Sequence, residues 1–159
     1  MIMNILIMRH GDAVRTAASD AARTLTDKGK RDVFNVAQSI RAESIDIERL
    51  ISSTYTRAFE TAQIVAQVFN IDTEIITCPD ITPNTPPHIA IRSLDPLLKP
   101  NTLVVSHLPL VSHLLASLVG GGVEANDIPM TTAACVWLTG ETWGEACLEI
   151  KSLRDPVTI

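Results

Sequence analysis

The stretch "ILIMRHGDA" (residues 5–13) sets four aliphatic side chains, Ile5 to Met8, directly against Arg9, His10, Gly11 and Asp12. The apolar run begins at about residue 2. It is too short and too continuous for a helix and predicts a fully buried strand over 2–8. A buried strand that stops on a guanidinium and an imidazole delivers both groups to one edge of a sheet. Whatever else reaches that edge shares a site with them.

Further apolar runs follow at intervals suited to alternating strands and helices. "ERLISST" (48–54), "TEIIT" (73–77) and "TLVVS" (102–106) predict three more strands. Residues 14–25 are a polar, Ala-rich connector. Thr26 is an N-cap for a helix that places Val33, Val36, Ala37 and Ile40 on one face. A second helix runs to about Phe69, with Ala58, Ala62, Val65 and Ala66 on its apolar side. The Pro-rich loop "CPDITPNTPP" (78–87) leads into a weaker helix over 88–98. Pro109 suits the first turn of a last helix, whose stripe is Leu110, Leu114, Leu115 and Leu118 and whose end is Gly120–Gly122.

The tail differs. "TTAACVWLT" (131–139) and "ACLEIKSL" (146–153) read as a half-exposed strand pair near a sheet edge, with Cys135 and Cys147 as small core residues. The alternation as a whole predicts an α/β fold, a single three-layer α/β/α domain over residues 1–159. Its sheet is mainly parallel, with antiparallel C-terminal edge strands. No repeat or linker divides it.

Composition bounds the partners. Apolar residues are 46% of the 159 and charged residues 19%, which suits a packed core. A net charge of −5 argues against nucleic acid, whose phosphate backbone wants a basic face. "MIMNILIM" lacks a basic leader, and "LPLVSHLLASLVGG" falls short of a bilayer span, so neither a signal peptide nor a membrane segment is expected. Three cysteines without metal-ligand spacing fit a reduced, cytoplasmic setting. No heptad seam demands a partner copy, and a monomer is expected.

The chemistry lies at strand ends. Arg9 and His10 follow the first strand. Arg57 starts the helix after the second, in "SSTYTRAFETA", and His107 closes the fourth in "LVVSHLPLV". In an open parallel sheet the carboxyl ends of the strands line one crevice, so two arginines and two imidazoles meet there. Guanidinium forks match phosphoryl oxygens, and helix starts near residues 55 and 109 would add backbone N–H donors. A neutral imidazole is a competent nucleophile, and a protonated one would stabilise charge on the group in transfer. His88 and His113 read as structural or surface residues. No cysteine has an arginine six positions on, no Gly-rich stretch runs into Lys-Ser or Lys-Thr, and His and carboxylates are too scattered for a metal site. A mechanism without metal or cofactor is expected.

Together, "RHGDA", "SSTYTRAFETA" and "VVSHLPLV" resemble the histidine phosphatase superfamily, also called phosphoglycerate-mutase-like, and "RTLTDKG" (23–29) resembles its lead into the first helix. Within it, "RHGDA", "SHLPLV" and the short chain resemble the SixA-type phosphohistidine phosphatases. The resemblance spans residues 2 to about 139. It implies that His10 is phosphorylated during turnover, that Arg9, Arg57 and His107 hold phosphoryl oxygens, and that Arg23 adds a further cation. Asp12 matches the motif and either serves the chemistry or orients the loop.

The leaving group separates the substrate classes. An alkoxide leaving from an ester needs a positioned acid, whereas the imidazole of phosphohistidine is a far better leaving group. Ester-cleaving members carry an acid in the loop after the third strand, where Asp80 is the only carboxylate here. The favoured reading makes Asp80 structural and the substrate a phosphohistidine on a histidine-phosphotransfer domain or phosphocarrier protein. A small-molecule phosphomonoesterase using Asp80 as acid is the alternative. A phosphoprotein-binding module without turnover is the non-enzyme alternative.

Overall fold

Side chains alternate across a strand, and the first strand, β1 (Met3–Arg9), uses that alternation to feed two cores. Ile5 and Ile7 enter one apolar cluster, while Leu6 and Met8 enter the other on the opposite face. The computed structural model describes all 159 residues. Its remaining strands are β2 (Arg49–Ser53), β3 (Ile76–Cys78), β4 (Asn101–Ser106), β5 (Cys135–Gly140) and β6 (Glu149–Arg154). They form one six-stranded sheet in the order β3-β2-β4-β1-β5-β6. The first four in that order run parallel, whereas β5 pairs antiparallel with β1 and β6 antiparallel with β5.

Helices cover both faces. The helices α1 (Asp27–Arg41) and α2 (Thr56–Phe69) pack Val33, Val36, Ala37, Ile40, Ala58, Ala62 and Val65 against Leu6, Met8, Leu50, Leu103 and Val105. On the other face, α3 (Pro87–Leu94) and α4 (Leu110–Val119) bring Ala90, Leu94, Leu110, Leu114, Leu115 and Leu118 onto Ile5, Ile7, Ile51 and Val104. This is the three-layer α/β architecture that strand–helix alternation implies. No helix is long and apolar enough to cross a membrane.

Boundaries moved where pairing or proline intervened. The third strand begins at Ile76 rather than 73, because as an edge strand it pairs only with Ile51–Ser53 of β2. The weak helix expected to 98 stops at Leu94 and tightens into a 3₁₀ turn over Asp95–Leu97, where Pro96 supplies no N–H. The last strand begins at Glu149, so Cys147 falls in the connection before it. That cysteine is exposed rather than packed in the core, unlike Cys78 and Cys135. Ile150, on the outermost strand, is likewise exposed.

Candidate active site

Backbone pairing continues past the end of β1 and fixes the first two site residues. The Arg9 N–H donates to the Ala134 carbonyl (2.9 Å), the His10 N–H to Ser106 (3.0 Å), and Ala133 N–H donates back to His10 (3.0 Å). Arg9 and His10 are therefore clamped between β4 and the turn before β5. The next residue must be glycine for steric reasons. A Cβ on Gly11 would lie 2.8 Å from Val33 Cγ2 and 2.9 Å from the Gly29 carbonyl. One on Gly29 would lie 2.1 Å from the Asp12 carbonyl. The loop after β1 and the first turn of α1 thus touch backbone to backbone. Asp12 secures the same junction: its carboxylate accepts from Thr26 Oγ1 (2.8 Å), and Thr26 caps α1 by accepting the Gly29 N–H (2.9 Å). This is the loop-orienting one of the two roles open to Asp12.

The ring of His10 is locked by its neighbours. Its Nδ1 lies 2.7 Å from the Gly11 carbonyl, which can only accept, so the ring proton sits on Nδ1. Its Nε2 then carries the lone pair and accepts from Arg57 Nε at 3.2 Å. Arg57 is buried in the first turn of α2, and its carbonyl accepts from Thr61 Oγ1 (2.7 Å). Thr61 Oγ1 in turn accepts the Gly11 N–H (3.1 Å). One threonine thereby ties the β1 loop to the helix that carries Arg57.

His107, at the end of β4, is 1% exposed, and its ring centroid lies 5.1 Å from that of His10. Its Nε2 lies 2.7 Å from Ser53 Oγ, at the end of β2, and Tyr55 packs edge-on against the ring with centroids 5.0 Å apart. Arg9 donates through Nη1 to the Met130 carbonyl (3.0 Å). Two buried side-chain polar atoms in the molecule have no hydrogen-bond partner, Arg9 Nε and His107 Nδ1. Both belong to this cluster.

Electrostatics keep both imidazoles neutral. Burial first, then Arg57 and Arg9, outweigh the opposing Gly11 carbonyl bond and push the His10 pKa down to about 4. Burial, then His10 and Arg57, push His107 down to about 3. His107 is therefore a neutral imidazole in the protein by itself, not the protonated group that sequence chemistry allowed. Arg9 is also lowered, by burial and by Arg57.

The structure brings Arg9, His10, Arg57 and His107 together, as their strand-end positions imply. Arg23 does not touch His10. It reaches the cluster through Asp20, donating from Nη1 to Asp20 Oδ1 (3.0 Å) and from Nε to the Val14 carbonyl (2.6 Å). Asp80 lies apart from these groups in the hydrogen-bond network: its Oδ2 accepts from Ser93 Oγ at 2.7 Å, a bond within the loop and α3. His88 and His113 are exposed. The helices after β2 and β4 start at Thr56 and Leu110, at the expected sheet edge, and neither has a side-chain cap.

A match to the histidine phosphatase superfamily (branch 1) covers residues 5–82. The chain is 34% identical over 137 residues to the phosphohistidine phosphatase SixA of Escherichia coli (strain K12), covering 84% of this chain and 83% of that protein. The chain belongs to the histidine phosphatase superfamily. Among its members, this histidine phosphatase is also 36% identical over 145 residues to a SixA homolog of Haemophilus influenzae, covering 85% of this chain and 88% of that protein. A solved structure of the protein histidine phosphatase SixA complexed with tungstate superposes with a TM-score of 0.85. It is 31% identical, and the overlap covers 97% of each chain. The fold is thus that of SixA and other phosphoglycerate-mutase-like phosphatases.

Sequence reasoning did not find Asp20, Ser53 or Thr61. Ser53 and Thr61 sit in "SSTYTRAFETA" and act by holding other site residues. Asp20 lies in a connector whose residues 15–20 are all exposed, and nothing in its local pattern points to Arg57.

Proposed function

We propose that this histidine phosphatase hydrolyses phosphohistidine carried by another protein, a histidine-phosphotransfer domain or a phosphocarrier protein. The observation that carries the reading is the state of His10. Its proton is held on Nδ1 by the Gly11 carbonyl, and its bare Nε2 faces a guanidinium beside a second arginine and a second imidazole. In-line attack by Nε2 forms a nitrogen–phosphorus bond as the bond to the substrate imidazole breaks; with a proton on its other ring nitrogen, that imidazole takes the electron pair and leaves neutral. Arg9, Arg57 and His107 hold the phosphoryl oxygens as charge develops on them, with Arg23 contributing charge from farther out. Water then attacks phospho-His10, releasing phosphate and restoring Nε2. No metal or cofactor takes part in this scheme.

Three further observations support the reading. Arg9 Nε is a buried donor without a protein partner, and so is His107 Nδ1 in the tautomer where Ser53 donates to Nε2. Each such unpaired group costs about 1–3 kcal/mol, a cost that an anion bound within the cluster would relieve wherever its oxygens reach them. The relatives are named phosphohistidine phosphatases, and one was solved with tungstate, a tetrahedral oxyanion of phosphate's shape. The connection from β3 to α3 is only Pro79–Pro86, and its sole carboxylate is bonded to Ser93. An imidazole leaving group does not need the acid that an ester would need. Short connections suit a side chain presented on a protein surface, and the chain is read as a cytoplasmic monomer in phosphotransfer signalling.

The test compares a phosphohistidine-bearing phosphotransfer domain with p-nitrophenyl phosphate on one preparation, with His10→Ala as control. Turnover of the phosphohistidine should depend wholly on His10, and acid-labile phosphate should be trapped on wild type alone. Wild-type turnover by His10→Ala would sink the reading, and faster turnover of the ester would move it to metabolite esters.

A further inference from the structure

The guanidinium of Arg57 has contacts on all three nitrogens, and two of them go to one residue. Nε donates to His10 Nε2 (3.2 Å), Nη1 to the Asp20 carbonyl (2.7 Å) and Nη2 to Asp20 Oδ2 (3.3 Å). The other carboxylate oxygen, Oδ1, accepts from Arg23 Nη1 (3.0 Å). Asp20 therefore bridges two arginines with its single charge, on the same fork that faces the nucleophilic nitrogen. Its own side chain is 56% exposed, whereas that of Arg57 is 5% exposed. The carboxylate approaches the buried fork from the solvent side, the side from which a substrate must also come.

We propose that Asp20 is a positioning residue that competes with the phosphoryl group for Arg57 and Arg23, aiming the Arg57 fork at His10 and keeping product phosphate weakly bound. The proposal rests on the reading of His10 and Arg57 as a phosphoryl site. An anion entering between His10 and Arg57 meets a guanidinium already half-neutralised by a carboxylate. Binding then costs either the Arg57–Asp20 pair or the repulsion between two anions on one fork. The same pair holds Arg57 in place between turnovers, so that Nε stays within reach of His10 Nε2. A phosphatase gains from both effects, because phosphate left on two free arginines and two imidazoles would be slow to depart.

A tether without this competition is the simpler alternative, and the geometry allows the two to be separated. Residues 15–20 are exposed, and the 3₁₀ turn Asp20–Ala22 buries no side chain, so its tip is held largely by hydrogen bonds. Arg57 Nη1 bonds the backbone carbonyl of Asp20, and that contact survives any side-chain change. Replacing Asp20 by asparagine also keeps an oxygen acceptor. It removes the charge and one of the two side-chain acceptors, so one arginine bond goes with it, and Asp20→Ala, which removes both acceptors, brackets that loss.

Inorganic phosphate is the probe, measured by calorimetric binding and by competitive inhibition of phosphohistidine turnover in the full chain. Asp20→Asn should bind phosphate about tenfold more tightly, the effect expected when one negative charge is removed beside a bound dianion in a partly solvated site. Its KM should fall with no rise in kcat, Asp20→Ala should repeat the gain, and Asp20→Glu should stay near wild type. Unchanged or weaker phosphate binding by Asp20→Asn, with a wild-type unfolding curve, would overturn the proposal and leave a tether. If phosphate fails to compete with substrate in both the wild-type protein and Asp20→Asn, the reading of the site itself fails, and the role of Asp20 with it.

Discussion

Lowering the pH tests the state of His10 without changing a residue. The nucleophile must be neutral, and an ordinary imidazole titrating near 6.5 is only about one-tenth neutral at pH 5.5. Burial and the two arginines put His10 at about 4 instead. At pH 5.5, roughly 1.5 units above that value, more than nine-tenths of it is then neutral. From pH 7 to 5.5, kcat/KM should therefore fall by less than about twofold from this cause, against about tenfold for an unperturbed nucleophile. The sign for stability follows from linkage. The unfolded chain takes up protons on His10 and His107 as pH falls below about 6.5, while the folded protein does not until it nears the depressed values. Stability is thus present in full above that window and lost as pH falls from about 6.5 towards 4, by about 3 kcal/mol for His10 alone at 1.36 kcal/mol per unit. The assay is the imidazole ¹H–¹³C chemical shift against pH, assigned with His10→Ala, beside kcat/KM and urea unfolding over the same range. A His10 resonance titrating at 6–7 in the ligand-free protein would refute the electrostatic argument for a neutral nucleophile held by burial.

Other expectations follow from contacts around the site. Asp80→Asn should leave kcat for phosphohistidine within about twofold of wild type, since its carboxylate serves Ser93 Oγ; the lost charge-assisted bond should cost about 1 kcal/mol in urea unfolding. A large loss of turnover would instead make Asp80 an acid. Gly29→Ala should gain up to about 1 kcal/mol in helix propensity, yet destabilise overall by about 2 kcal/mol or more. The reason is that its Cβ would overlap the Asp12 carbonyl at 2.1 Å. Because that carbonyl belongs to the His10 loop, kcat should fall as well; a stabilised variant with full activity would contradict the backbone contact.

The strands, their mainly parallel direction and the strand-end cluster were legible because each rests on a local signal. Ile5–Met8 are apolar on both faces, so β1 had to be central, and a central parallel strand delivers its last residues to the crevice. Arg57 and His107 were found by the same logic, one element at a time. Edge positions were less legible. The start of β3 is set by how much of β2 is free to pair, and the exposure of Cys147 by where β6 joins β5, neither of which is written in the segment itself.

The chain's own pattern thus determined which residues share a crevice, because hydrophobic periodicity and strand polarity act over a few residues. Only the tertiary structure decided what those residues are. His10 became a neutral imidazole with its lone pair on Nε2, and His107 a neutral imidazole rather than a cation. Asp20, an unremarked residue in a polar connector, became the partner of two arginines. Protonation and hydrogen-bond partnership depend on burial and on charges brought from distant segments within a few ångströms, and those distances exist only once the chain has folded.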